Sequence, residues 1–305
     1  MTLLKGLGEL FLTVFLVATA VFLILRVLPG DPAAVIAGTD APTERLQSIR
    51  QRLGTDEPIL AQYLSWLSGV ARLDFGTSFF DNAAVSSLIA RRLPVTCILG
   101  GSSFALSLLI AVPLGLLGGS RPGGPARSVV SGYEYAALAL PPFLLGILLL
   151  LLFAVSLDLF PMFGTGTPLH FVLPSLSLAL GNGAVLSRIT RSAVVEEMEK
   201  GYVVTARAQG LTRREILFTE VLRNALTPLI TVAGLQVGYL LGGAIIVESL
   251  FSLPGVGSLL VTAILNRDFP VVQGCVILIA LTFVLVNRAA DMLHTVADPR
   301  SRRGE

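Results

Sequence analysis

Val95-Thr96-Cys97-Ile98-Leu99-Gly100-Gly101-Ser102-Ser103-Phe104-Ala105-Leu106-Ser107-Leu108-Leu109-Ile110-Ala111-Val112-Pro113-Leu114-Gly115-Leu116-Leu117-Gly118-Gly119 is a run of 25 residues without a single charge. A helix needs about 20 apolar residues to cross a bilayer core, so this run alone is long enough. Five further runs avoid charge in the same way: Leu10 to Leu25, Tyr135 to Leu157, Leu159 to Ser187, Asn224 to Val247 and Phe269 to Asn287. The first of these is short and reaches spanning length once Leu7 to Glu9 and Arg26 to Leu28 are added, with Arg26 snorkelling from the helix end. A seventh run, Ser249 to Asn266, is interrupted by Pro254, Gly255 and Gly257 and reads as a broken or re-entrant element outside the core. The expectation is an all-α polytopic membrane protein with six transmembrane helices.

Composition supports that class. Of 305 residues, 53% are hydrophobic and 14% charged, against roughly 25% charged in soluble domains. An ordinary soluble enzyme and a disordered chain are both excluded. Cys97 and Cys275 lie in apolar runs, which suggests neither a disulfide framework nor a metal cluster. The only lysines, Lys5 and Lys200, each follow a residue other than glycine, so the chain has no phosphate-cradling G-x-x-x-x-G-K motif. Neither His170 nor His294 stands in a zinc-hydrolase setting. Mid-membrane acids and bases, which an ion-coupled carrier working alone would use, are missing from the central stretches of the spans. No serine-histidine or paired-aspartate arrangement there suggests an intramembrane hydrolase.

Ala18-Thr19-Ala20 has the small-x-small form of a signal-peptide cleavage site, but apolar sequence continues through Val21 to Leu25, which favours a retained span. With both termini on one side, that side carries fourteen basic residues, and the other carries eight arginines, seven of them between Arg26 and Arg92. That segment is too long for the positive-inside rule, so both termini are expected in the cytoplasm. The chain then divides into an N-terminal transmembrane helix (1–28), an extracytoplasmic segment with short helices (29–94), a five-helix membrane core (95–294) and a cytoplasmic tail (295–305). The core includes a cytoplasmic loop (188–223) and an outer re-entrant element (248–272). Within 29–94, Thr43 is expected to cap a helix stopped by Gly54. Ile59, Tyr63, Trp66, Leu67 and Val70 mark a second helix, with the lone tryptophan at a water-lipid boundary.

The loop from Arg188 to Arg223 is amphipathic and reads as two helices around a glycine. Val194, Met198, Tyr202 and Ala206 form the apolar face of the first. Gly210 stands at a left-handed C′ position. Thr212-Arg213-Arg214-Glu215 is a capping box, with Leu211 and Ile216 placed as a hydrophobic staple. Small residues at the tip (Thr205, Ala206, Ala208) suit close approach by a partner, and an ordinary surface loop of two helices is the alternative. Inside the spans, Asn182, Gln236 and Glu248 are the candidates to line a path, since polar groups there face the protein interior or a cavity. Asn182 could equally relax a helix, Gln236 bond between helices, and Glu248 pair with Arg267. Gly234, Gly238, Gly242 and Gly243 give one helix a face for close packing.

Tyr202-Val203-Val204-Thr205-Ala206-Arg207-Ala208-Gln209-Gly210-Leu211, continuing into Leu222-Arg223-Asn224-Ala225-Leu226 and Pro228, resembles the EAA loop of ATP-binding cassette (ABC) importer permeases, in the version of the dipeptide/oligopeptide/nickel family. Further blocks in the same order resemble that family's first permease subunit: Leu28-Pro29-Gly30-Asp31-Pro32, Asp74-Phe75-Gly76-Thr77-Ser78, Arg92-Leu93-Pro94-Val95-Thr96, Val247-Glu248-Ser249-Leu250-Phe251 with Pro254-Gly255-Val256-Gly257, Arg267-Asp268-Phe269-Pro270, and Asp298-Pro299-Arg300. Val204-Thr205-Ala206 stand where the general pattern has Glu-Ala-Ala, and Arg223 where it has proline; both departures are usual in the peptide branch.

The resemblance implies a type I ABC importer permease in a bacterial cell membrane, moving di- or oligopeptides inward by alternating access, with nickel or glutathione as alternative cargo. It implies a coupling helix seated in a cleft of a cytoplasmic ATPase, carried here by Thr205, Ala206, Arg207, Ala208, Gly210, Leu211, Thr212 and Glu215. The implied partners are a second homologous permease, one or two ATPase subunits and an extracytoplasmic substrate-binding protein. Any ATP and magnesium would sit on the ATPases, no cofactor on this chain, and nucleic acid is no partner.

Overall fold

The computed structural model describes residues 2–27, 32–37, 41–121 and 123–297. Leu28 to Asp31 of the first motif block, and Asp298-Pro299-Arg300, lie outside these. Among the described residues, five helices are long and apolar enough to cross a membrane, within Leu10–Val27, Val85–Ser120, Pro168–Met198, Arg213–Leu250 and Phe269–Ala290. The sixth exists only as a bent pair: Pro125–Ala139 and Pro142–Ser156 meet at 104°. The run from Tyr135 to Leu157 is therefore not one rod. Pro141 and Pro142 both lack the N–H a helix needs, and a residue before proline is driven out of the helical region, as Leu140 is at φ −107°, ψ 125°.

The chain divides into two compact units. The first comprises residues 1–96 and 254–284. It holds α1 (Thr2–Val27), α2 (Pro32–Ala37), α3 (Thr43–Leu53), α4 (Ile59–Ala71), the start of α5 (Val85–Ser120), α12 (Val256–Leu265) and most of α13 (Phe269–Ala297). Gly54 ends α3 at φ +65° and returns its N–H to the Arg50 and Gln51 carbonyls. Thr43 does not cap; it is the first residue inside α3, and Pro42 holds the cap position without a side-chain bond. Trp66 and Tyr63 pack on Phe22 of α1 with ring centroids 5.5 and 5.2 Å away, so the tryptophan serves protein packing.

Helix α5 begins ten residues before the apolar run, taking in Arg91, Arg92 and Pro94. At its start α13 crosses closely, since a Cβ on Gly274 would stand 2.6 Å from Val85 Cγ1. Asp268 fastens the loop after α4: its Oδ1 accepts from the Phe79 N–H (3.1 Å) and its Oδ2 from the Ser78 hydroxyl (2.5 Å). The stretch 248–272, expected as a re-entrant element, comprises the end of α11 (Leu222–Leu250), the short helix α12 and the start of α13; the first N–H of α12 donates to Thr96 Oγ1 at 2.8 Å.

The second unit comprises 97–253 and 285–305. It is organised around α8 (Val172–Met198), against which pack α6 (Pro125–Ala139), α7 (Pro142–Leu149) and α11. Gly115, Gly118 and Gly119 let α5 approach α8: a Cβ on each would come within 2.4, 2.9 and 2.8 Å of Thr190, Arg191 and Val194. Small residues are how helices pack tightly without a hydrophobic driving force. On α11, Gly234 abuts Ala290 and Gly243 abuts Leu178, whereas a Cβ on Gly242 would meet nothing within 4 Å among the described residues.

Candidate functional site

Helix α8 does not run unbroken into the loop that leads to the elbow. It ends at Met198, and after Glu199-Lys200 a separate helix α9 covers Gly201–Ala208. The apolar face foreseen across one helix is thus divided, yet its members converge. Val194, Val203, Ala206, Ile216, Leu217, Val221 and Leu116 form one buried cluster, with Met198 and Tyr202 packed against it. This cluster glues the elbow to α5 and α8.

The turn itself follows from local sequence. Gly210 adopts φ +88°; its N–H reaches the Arg207 carbonyl (3.0 Å) and the Leu211 N–H the Ala206 carbonyl (3.2 Å). These are the paired bonds of a Schellman motif. Thr212 then caps α10 (Arg213–Ile216). Its Oγ1 accepts from the Glu215 N–H at 3.3 Å, and the Thr212 N–H donates to Glu215 Oε2 at 2.7 Å. Bonds to that carboxylate, the Thr212 hydroxyl's first and the backbone amide's second, hold the Glu215 carboxyl below its ordinary pKa. Of the intended staple, Ile216 is fully buried and Leu211 is exposed.

The elbow sorts the sequence candidates into two sets. Thr205, Arg207, Ala208, Gly210, Leu211, Thr212 and Glu215 are exposed, together with Val204, Arg213 and Arg214. Ala206 faces the other way, 6% exposed within the buried cluster, so it supports the tip from beneath while the others form its exposed surface. Past Ile216 the chain enters a π-helical stretch, Leu217–Val221, and passes directly into α11. The wide turn inserts an extra residue where the elbow becomes a membrane helix, a position at which such turns often mark function.

The three path candidates are not brought together on one surface. Asn182 has no exposed area; its Nδ2 donates to Ser107 Oγ at 3.1 Å, joining α8 to α5, while its Oδ1 has no partner among the described residues. Glu248 is also fully buried. Gln236 is half-buried on α11. His170 is a structural imidazole, its Nδ1 accepting from the Thr167 N–H at 3.1 Å at the start of a short 3-10 turn. Among the described residues no three metal-ligating side chains come together.

One buried pair escaped sequence reasoning. Glu134 of α6, 2% exposed, accepts from Arg191 Nη2 at 2.7 Å and from the Ser187 hydroxyl at 3.0 Å. The 57 positions that separate Glu134 from Arg191 carry no local signal of the contact.

Comparison with known proteins agrees with this geometry. The family described as binding-protein-dependent transport system inner membrane component matches residues 111–303, and its N-terminal domain matches residues 2–100. The chain is 38% identical to a putative peptide transport system permease protein of Brucella abortus, over 98% of both chains. It is also 38% identical to the glutathione transport system permease protein GsiC of Pectobacterium atrosepticum, over 98% of this chain and 97% of that one. In fold it is similar to a chain of the MetNI methionine ABC transporter in inward-facing form, with a TM-score of 0.61 at 19% identity, covering 70% of this chain and 97% of that one.

Proposed function

The chain belongs to the family of binding-protein-dependent transport system inner membrane components, and from that premise we propose that it is the membrane-spanning subunit of an ATP-driven importer of short peptides. The observation that carries the proposal is the elbow: a Schellman turn at Gly210 and a capping box at Thr212 and Glu215 lock an exposed tip whose inner face is cemented to α5 and α8. Such a tip can receive a push from an ATPase and pass it to the membrane helices.

In this reading both termini and the elbow lie in the cytoplasm, and residues 29–94 face outward toward a substrate-binding protein. One or two ATPase subunits contact Thr205, Arg207, Ala208, Gly210, Leu211, Thr212 and Glu215, and hold the ATP and magnesium. A homologous second permease completes the path. This chain hydrolyses nothing; it supplies the moving wall. Among the path candidates Gln236 is best placed to meet cargo, because Asn182 and Glu248 have no exposed surface. The similarity to a glutathione permease makes glutathione, itself a tripeptide, the second cargo to try.

The test is uptake by the assembled complex in proteoliposomes. Peptide should accumulate only with ATP and binding protein present. ATP hydrolysis without accumulation of peptide or glutathione overturns the proposal.

A further inference from the structure

Tyr202, in the first turn of α9, carries a hydroxyl that its packing does not require. Its ring rests half-buried against the apolar cluster beneath the elbow, where a phenylalanine would pack as well. The hydroxyl is engaged elsewhere. It donates to Glu197 Oε2 at 2.8 Å, in the last turn of α8, and accepts from Asn224 Nδ2 at 3.4 Å, in the first turn of α11. One oxygen thus joins the helix that enters the elbow to the helix that leaves it.

Both ends of this bridge are themselves held. Glu197 Oε1 accepts from Lys200 Nζ at 2.5 Å, and the Glu197 side chain is 12% exposed. Asn224 Nδ2 also donates to the Glu220 carbonyl at 3.1 Å, inside the π-helical stretch. A carbonyl only accepts, so that bond sets which end of the Asn224 amide faces Tyr202. A carboxylate that only accepts and an amide nitrogen that only donates can be linked by a group that does both, as a hydroxyl does. The bond to the carboxylate is charge-assisted and is the stronger of the two. The apolar contacts around the ring are non-directional. Hydrogen bonds weaken steeply off their axis, so the bridge fixes how the end of α8 stands to the start of α11.

We propose that Tyr202 is a positioning residue for coupling: its phenol clasps the neck of the elbow, so that a displacement of the tip reaches α8 and α11 together. The displacement, though not the clasp, rests on the importer reading above.

Tyr202→Phe keeps the ring and removes only the hydroxyl. In proteoliposomes of the assembled complex, peptide accumulated per ATP hydrolysed should fall at least threefold, with assembly and unstimulated ATP hydrolysis unchanged. Hydrogen exchange in fragments covering 217–224 should quicken at least threefold, while the Gly210 turn keeps its protection. Glu197→Gln retains an acceptor for the phenol and should hold the ratio near that of the unaltered complex; Glu197→Ala should lower it as the phenylalanine variant does. Should Tyr202→Phe fail to assemble, the two Glu197 variants test the same bond with the tyrosine in place. An unchanged ratio in Tyr202→Phe, or equal loss in both Glu197 variants, overturns the proposal. So does a lower ratio without quicker exchange at 217–224, because the hydroxyl would then act elsewhere. If the unaltered complex accumulates no peptide, the importer reading falls, and exchange at 217–224 still decides whether the hydroxyl holds the neck.

Discussion

Arg191 Nη2 and Glu134 Oε2 lie 2.7 Å apart where α8 meets α6, and the Glu134 side chain is 3% exposed. The Ser187 hydroxyl adds a second donor to the same carboxylate. Room for the arginine comes from Gly118, where a Cβ would stand 2.9 Å from Arg191 Cδ. Because α8 leads toward the elbow, this pair ties α6 to the helix that carries the elbow.

Removing one member strands the other. Arg191→Ala should destabilise the chain by about 3 kcal/mol, because an uncompensated buried carboxylate remains. The double variant Arg191→Met, Glu134→Leu should recover most of the loss, since apolar replacement of a buried pair is often neutral. Thermal unfolding in detergent decides it: equal melting temperatures for single and double variants would show that the pair is not the source.

Gly210 is held at φ +88°, and a Cβ there would meet nothing within 4 Å among the described residues. Within this chain Gly210→Val should therefore act through backbone strain, about 1 kcal/mol or more. Assembly should survive while substrate-stimulated ATP turnover falls. Gly210→Asn, which tolerates the left-handed region, should be milder. An unchanged turnover rate in the valine variant speaks against the coupling role.

The glycines of α5 divide by position. Gly115→Ala should cost about 1–3 kcal/mol by overpacking, because the new methyl would fall 2.4 Å from Thr190 Cβ. Gly100→Ala, on the same helix with nothing within 4 Å among the described residues, should be tolerated. Melting temperatures of the two variants, measured side by side, check the contrast.

The capping box should respond to acid. The Glu215 carboxyl is held below its ordinary value by the Thr212 hydroxyl and amide, so its contribution is complete above the unfolded value of about 4.3. It fades as pH falls through the lower folded value. Hydrogen exchange at the amides of Thr212 and Glu215, corrected for intrinsic rate, should lose protection across that range. Glu215→Gln should remove the pH dependence, and Thr212→Ala should cost about 1 kcal/mol at neutral pH through loss of the cap.

What could be read from sequence was local. Thr212 and Glu215 stand three residues apart, so their reciprocal bonds follow from spacing alone. Gly210 was legible because few residues other than glycine accept its backbone angle. Five of the six charge-free runs lie on long apolar helices, because charge is costly in lipid however the helices pack, although Leu159 to Ser187 is displaced to Pro168–Met198. Two other boundaries went astray for identifiable physical reasons. Leu140-Pro141-Pro142 breaks a run that composition makes continuous. Arg91, Arg92 and Pro94 look like the outside of a span but continue α5, since arginine stems can reach from a helix to water and one missing N–H does not end a long helix. The inward turn of Ala206 agrees with its place on the apolar face that Val194, Met198 and Tyr202 mark, whereas the Glu134–Arg191 pair and the packing of Arg26 and Trp66 on Phe22 join segments far apart in sequence and had no signature to find.

From Arg213 through the wide turn at Leu217–Val221 to Leu250, the chain is one continuous helix of 38 residues, charged over its first third and apolar beyond Asn224. At 1.5 Å per residue such a rod is about 57 Å long, nearly twice the roughly 30 Å hydrocarbon thickness. Roughly 25 Å must therefore stand clear of the lipid or lean within it. A tilt of about 10° applied to an arm of that length displaces its tip by about 4 Å. Such a stroke is smaller than one helical turn yet large enough to separate a pair of close-packed side chains, so a small displacement at the free end of the rod is enough to break contacts along it.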